Sequence, residues 1–176
     1  EHGSGNAGAT NTFRVLGNKA GVLVLILDIL KAWIAVRLLS TLAGNTNVEF
    51  QLALGLVAVL GHIFPIYIGF RGGKGIASLL GVIIAIHPTA ALIAIGFFLI
   101  TLIITKYVSL SSIIAACAFP VLIYYYFEES NYSLIIFSIM VAVLVLFTHK
   151  KNIDRLFKNE ESKVTILRKT FKRKEK

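Results

Sequence analysis

The stretch that decides the fold is Ile76–Thr105, IASLLGVIIAIHPTAALIAIGFFLITLIIT, thirty largely apolar residues interrupted at His87-Pro88. A helix crosses a bilayer in roughly 20 residues, so the stretch is long for one upright span and short for two. Charge chooses between these. If it crosses once, Lys106 and the basic tail that follows two later spans end up outside; if it dips and returns, both stay inside. Basic loops favour the cytoplasmic side. The spacing therefore predicts two short helices, Ile76–Ile86 and Thr89–Thr105, meeting at the outer side as a thin or re-entrant hairpin.

Further apolar runs lie on either side. Ala20–Ala43 is long enough to span, although it carries Asp28, Lys31 and Arg37. Asp28 and Lys31 share a helical face, and ionisable groups inside a span should face protein or water. Gly44–Gln51 is polar without Lys or Arg and suits the outer side, and Leu52–Ile68 returns inward. Leu110–Phe127, the acidic turn Glu128-Glu129 and Tyr132–Thr148 complete the set. The expected fold is an all-α integral membrane bundle of six membrane segments. At 56% hydrophobic residues and a mean hydropathy of +0.79, a soluble domain is excluded.

Eleven of the 18 Lys and Arg residues follow His149, so the net charge of +9 reads as a tail held near anionic lipid rather than as a nucleic-acid surface. Residues 1–156 read as one polytopic membrane domain and 157–176 as a basic cytoplasmic tail. The chain starts at Glu1, almost inside a motif, and is expected to lack its true N-terminus. Cys117 is alone, which rules out an internal disulfide, and the four His show no metal-ligand spacing. No metal or cofactor is expected. No internal repeat is visible.

This parity places Glu1–Lys19, Gly69–Gly75, Lys106–Ser112 and the start of the tail at His149 on one face. The first loop carries Gly3, Ser4, Gly5, Asn6, Thr10, Asn11 and Arg14, hydrogen-bonding groups packed among small residues. Such density suits a phosphate or carbonyl oxygen. It formally matches the dinucleotide pattern GxGxxG, but the strand and acidic ribose partner of that pattern are missing. The second loop surrounds Arg71 and Lys74 with Gly69, Gly72, Gly73 and Gly75. Glycine lets backbone amides turn toward an anion. The P-loop spacing is not met, so nucleotide hydrolysis is not expected.

Ser109, Ser111 and Ser112 follow Lys106, one as a helix cap and another open to a substrate. His149 and Asp154 spell HxxxxD, the pattern of acyltransferases that use acyl thioesters, with Asn152 and Arg155 as further phosphate donors. His62 reads as a structural residue bonded to backbone and His87 as a turn residue. No nucleophile triad appears, so catalysis would rest on positioning and charge.

GSGNAGATNTFRVLG at Gly3–Gly17, GHIFPIYIGFRGGKGIAS at Gly61–Ser78, KYVSLSSI at Lys106–Ile113 and HKKNIDRL at His149–Leu156 together resemble the bacterial membrane glycerol-3-phosphate acyltransferases that use acyl phosphate. The motifs occur in the family's order and span nearly the whole chain, and Asp154 is the one departure. The resemblance implies seven membrane helices, one of them absent here, in the bacterial inner membrane with the motifs facing the cytoplasm. It implies transfer of an acyl group from acyl phosphate to the sn-1 hydroxyl of glycerol 3-phosphate, giving lysophosphatidic acid and inorganic phosphate. It also implies a soluble acyltransferase as supplier of the donor. Expected catalytic residues are Ser4, Thr10, Arg14, Lys74 and His149. Expected substrate contacts are Gly5, Asn6, Asn11, Gly72, Gly73, Gly75, Ser112 and Asn152. Rival readings are a carrier of phosphorylated metabolites and a membrane scaffold.

Overall fold

The computed structural model describes residues 3–164, which fold entirely into helices and turns. The helices are α1 (Ala9–Leu16), α2 (Asn18–Leu42), α3 (Val48–Ile63), α4 (Ile76–Ile86), α5 (Pro88–Thr105), α6 (Val108–Val121), α7 (Tyr132–Thr148) and α8 (Lys150–Phe157). Part of the expected basic tail, 165–176, lies outside the described residues.

Local chemistry sets the ends. Pro88 occupies the first turn of α5, where its missing N–H costs nothing, and His87 Nδ1 accepts from the Ala90 amide at 3.2 Å. Lys106 closes α5 in the left-handed region at φ 63°. Asn131 Oδ1 caps α7 through the Leu134 amide at 3.0 Å. Pro120 lies inside α6, and the helix widens just beyond it into a π-helical turn, Leu122–Tyr126. The apolar runs lie in helices, with α5 starting one residue before the expected Thr89, but the expected Leu52–Ile68 stays α-helical only to Ile63, and a short 3-10 turn, Ile66–Ile68, follows Pro65.

The core is made of close backbone approaches. A Cβ on Gly55 would meet Val82, and one on Gly81 would meet the Ile29 carbonyl, so α4 lies tightly between α2 and α3. Small residues at such contacts are the usual way helices associate in lipid. Ala32, Val36, Val82, Ala85 and Ala90 are fully buried there, while Leu23, Leu27, Leu92, Ile103 and Val143 point outward. An apolar exterior around a small-residue core is a lipid-facing bundle.

By length and apolarity, three helical stretches among the described residues can cross a membrane: Val48–Ile68, Pro88–Thr105 and Val108–Tyr126. A fourth results if α7 and α8, bent by 61° at His149, count as one. α4 is apolar but 11 residues long, and α2 carries four charges, Lys19, Asp28, Lys31 and Arg37.

The first loop holds a helix that its polarity hid. α1 folds back on α2 across Gly17 (φ 86°), with the Phe13 ring against Gly21, where a Cβ would collide.

Candidate active site

Two glycine-rich loops meet at one end of the bundle. Gly8 lies 3.1 Å from Asn6 Oδ1 and 3.9 Å from the Gly73 Cα, measured from where its Cβ would stand. Within the first loop Asn11 Oδ1 accepts from the Ser4 amide at 2.8 Å, across the positive-φ turn at Gly3 and Gly5. The Asn11 and Thr12 amides donate to the Gly8 carbonyl and begin α1. Ser4, Gly5, Thr10 and Arg14 are exposed, and Asn6 and Asn11 half-buried. The first amides of α1 make an electropositive helix start that favours negative charge.

The second loop owes its glycines partly to another cause than an anion. The Gly72 amide donates to the Ile63 carbonyl at 3.1 Å and the Gly73 amide to the His62 carbonyl at 3.2 Å, closing the end of α3. A Cβ on Gly72 would strike those two carbonyls, and one on Gly73 would strike the His62 ring. Gly75 sits at φ 83° and turns the chain into α4. The loop is thus laid against α3, and its main product is the placement of Lys74.

Lys74 Nζ donates to Asn152 Oδ1, joining the second loop to α8. The Asn152 amide nitrogen donates to Glu161 Oε1 at 2.7 Å, which fixes the orientation of its carbonyl toward the lysine. Glu161 also accepts from Ser109 Oγ at 2.8 Å and from Arg155 Nε at 2.8 Å. Sequence reasoning missed Glu161, which lies beyond the expected domain boundary at 156. The chain after α8 returns to the α5–α6 turn, where the Val164 amide donates to the Lys106 carbonyl. Ser111 and Ser112 bond back to the Tyr107 and Val108 carbonyls at 2.8 and 3.0 Å, and no side chain caps α6.

His149 is 2% exposed at the bend between α7 and α8. Its Nδ1 lies 2.9 Å from the Val145 carbonyl, which can only accept, so Nδ1 carries the proton and Nε2 the lone pair. Asp154 instead accepts from Lys158 at 3.0 Å on the exposed side. The HxxxxD spacing therefore builds no His–Asp pair here.

Burial pushes Lys74 down to about 8, helped by Arg155 and Arg14 and opposed by Glu161. Burial and the Lys74 charge push His149 down to about 4, against the Val145 bond and Glu161. Burial would raise Glu161, but hydrogen bonds from Asn152, Ser109 and Arg155 outweigh it and hold the carboxyl below its usual range. The site at neutral pH is thus cationic at Lys74, Arg14 and Arg155, neutral at His149 and anionic at Glu161. Among the described residues no cluster of three or more His, Cys, Asp or Glu could hold a metal.

His62 corrects the expectation of a backbone-bonded ring. Its Nδ1 accepts from Lys31 Nζ at 2.6 Å, and Lys31 also pairs with Asp28 at 2.5 Å.

Residues 1–159 match the family model described as glycerol-3-phosphate acyltransferase. The chain is 39% identical over 198 residues to the glycerol-3-phosphate acyltransferase of Chlorobaculum tepidum, covering 96% of this chain and 85% of that one. It is 45% identical over 172 residues to the Staphylococcus carnosus protein of the same name, covering 93% and 83%. It superposes on crystal structures of PlsY (YgiH), an integral membrane glycerol 3-phosphate acyltransferase. The glycerol 3-phosphate form gives a TM-score of 0.84 at 36% identity, covering 92% of this chain and 80% of that one. The lysophosphatidic acid form gives 0.83 at 36% identity, covering 91% and 80%. A family match over most of the chain, the all-helical lipid-facing bundle and the converging loops lead to one conclusion: this chain belongs to the glycerol-3-phosphate acyltransferase family of integral membrane enzymes.

Proposed function

We propose that the protein transfers an acyl group from acyl phosphate to the sn-1 hydroxyl of glycerol 3-phosphate, releasing lysophosphatidic acid and inorganic phosphate. The observation that carries this reading is the bond from Lys74 to Asn152, which unites the second loop and α8 beside the start of α1. Two cationic, donor-rich elements facing each other suit two anionic substrates. Lys74, Ser112, His149 and Asn152 hold glycerol 3-phosphate, with Gly72, Gly73 and Gly75 shaping the loop. Ser4, Gly5, Asn6, Thr10, Asn11 and Arg14 hold the phosphate of the donor at the open end of α1.

An apolar groove of about 280 Å³ runs between α3, α4 and α7, lined by Val59, Leu60, Leu79, Phe137, Met140 and Leu144. A Cβ on Gly75 would stand 3.3 Å from Val59, one of the lining residues, and the groove suits the acyl chain. Each buried CH₂ adds about 0.8 kcal/mol.

In the reaction the hydroxyl oxygen bonds to the acyl carbon, the bond from that carbon to the phosphate oxygen breaks, and phosphate leaves as an anion. The hydroxyl proton passes to an oxygen of the departing phosphate. His149 is the alternative acceptor through Nε2, but a group held at about 4 is a weak base at neutral pH. The protein's part is to align hydroxyl and carbonyl and to offset repulsion between two phosphates. The site faces the cytoplasm of a bacterial cell, and a soluble enzyme supplies the donor.

The test uses the full-length protein in detergent with glycerol 3-phosphate and either palmitoyl phosphate or a palmitoyl thioester. Lysophosphatidic acid and phosphate from the acyl phosphate alone are expected. Product from the thioester alone would return His149 and Asp154 to the centre of the chemistry. Vesicle uptake without product would make the protein a carrier.

A further inference from the structure

Three ionisable side chains outside the expected site residues meet beside the second loop. Asp28 and Lys31 stand one turn apart on α2, and His62 lies near the end of α3. Lys31 Nζ reaches Asp28 Oδ1 at 2.5 Å and His62 Nδ1 at 2.6 Å, while Asp28 Oδ1 lies 3.3 Å from the same ring nitrogen. The side chains of Asp28 and His62 are 11% and 7% exposed. An ammonium only donates, so it bridges two acceptors and fixes the His62 ring with Nδ1 toward α2 and Nε2 on the far side.

That far side meets the second loop. A Cβ on Gly73 would clash with His62 Nε2, and the Gly73 amide donates to the carbonyl of the same histidine. One residue thus contributes both the carbonyl and the ring against which the loop lies. Lys74 is the next residue. The Gly73 backbone lies outside the positive-φ region, so the ring, not the backbone, excludes a side chain there.

Ionisable groups within a lipid-embedded bundle are costly to hold. Asp28 and His62 are largely buried while the Lys31 side chain is 44% exposed, and buried ionic groups are often replaceable by apolar packing without loss of stability. We infer that Asp28, Lys31 and His62 are positioning residues, which set the Gly72–Lys74 loop so that Lys74 meets glycerol 3-phosphate. This rests on the reading of Lys74 as a contact of that substrate.

The test is a double-mutant cycle on the full chain, with KM measured separately for glycerol 3-phosphate and palmitoyl phosphate. His62→Ala should raise the glycerol 3-phosphate KM about tenfold and leave the donor KM within about twofold. Gly73→Ala should do likewise alone, but add less than about threefold in the His62→Ala background, where the ring is gone. Gly72→Ala should keep its full effect in both backgrounds, because its Cβ would meet main-chain carbonyls. If the effects at 62 and 73 simply multiply, or His62→Ala lowers only the yield of folded enzyme, the inference is overturned. Should His62→Ala fail to fold, Lys31→Met and Asp28→Asn replace it; an unchanged glycerol 3-phosphate KM in both also overturns it. A Lys74→Ala variant with normal kinetics would instead remove the reading beneath, whatever the coupling between 62 and 73.

Discussion

The two ends of the bundle are built differently. At the end with the His87 and Glu128–Asn131 turns, most polar contacts are local. His87 bonds to Ala90, Asn131 to Leu134, the Asn131 amide to Glu129, and Gln51 to Thr46. One side-chain contact there, Asn131 to Glu49 at 3.1 Å, ties α7 to α3. At the other end local bonds are joined by partners distant in sequence: Lys74 with Asn152, Ser109 with Glu161, Lys31 with His62. Local contacts fold a turn by themselves. Long-range polar contacts form only when the whole bundle is in place, and that is where chemistry can be assembled from separate elements.

This contrast can be broken by experiment. Lys74→Ala should lower kcat/KM for glycerol 3-phosphate at least tenfold, which corresponds to about 1.4 kcal/mol of barrier; normal steady-state kinetics would take the lysine out of the site. The pH profile of kcat/KM comes next. Lys74 is charged below its value of about 8 and neutral above it. Binding of an anionic phosphate should therefore fail as pH rises through about 8, while the substrate's own second ionisation, about 6, shapes the acid limb. Glu161 opposes the lowering of Lys74, so Glu161→Gln should move the alkaline limb to lower pH. A limb that stays in place would deny the electrostatic link.

His149→Gln is a sharper question. Loss of a general base costs about 10²–10⁴ in rate, so turnover within about tenfold at saturating substrates would leave the donor phosphate as proton acceptor. A larger loss with unchanged KM values would favour His149 itself. The smallest effect belongs to the local end. Asn131→Ala removes a helix cap and should cost about 1 kcal/mol of stability, seen as faster thermal inactivation in detergent, with both KM values unchanged. A kinetic defect there would erase the distinction between the ends.

The same contrast explains what could be read from the chain. Apolar runs ended by Pro88, Gly75 and Asn131 mark helices because their causes are local. α1 escaped because ATNTFRVL is too polar and short to signal a helix, and it is held by Phe13 on Gly21. The two glycine loops were visible as loops that need glycine. That Gly72 and Gly73 stand against α3 carbonyls and the His62 ring depends on packing that spacing does not carry. Glu161 offered no signal, since a carboxylate in a basic tail has no period or motif. Only the chain's return to the Lys106 turn brings it to Asn152.

The hydroxyl of Ser78, near the start of α4, reaches the carbonyl of Asp28 at 3.4 Å. Asp28 lies ten residues into α2, about 15 Å along its axis from Asn18 at 1.5 Å per residue. The second loop thus joins its helix well down the side of α2, and α1 with the start of α2 rises past it as a wall. Lys74 lies in this recess, where burial, with Arg155 and Arg14, lowers it to about 8. On the proposed reaction, the small water-soluble substrate descends into this recess, and the long-chain donor need not leave the lipid to meet it.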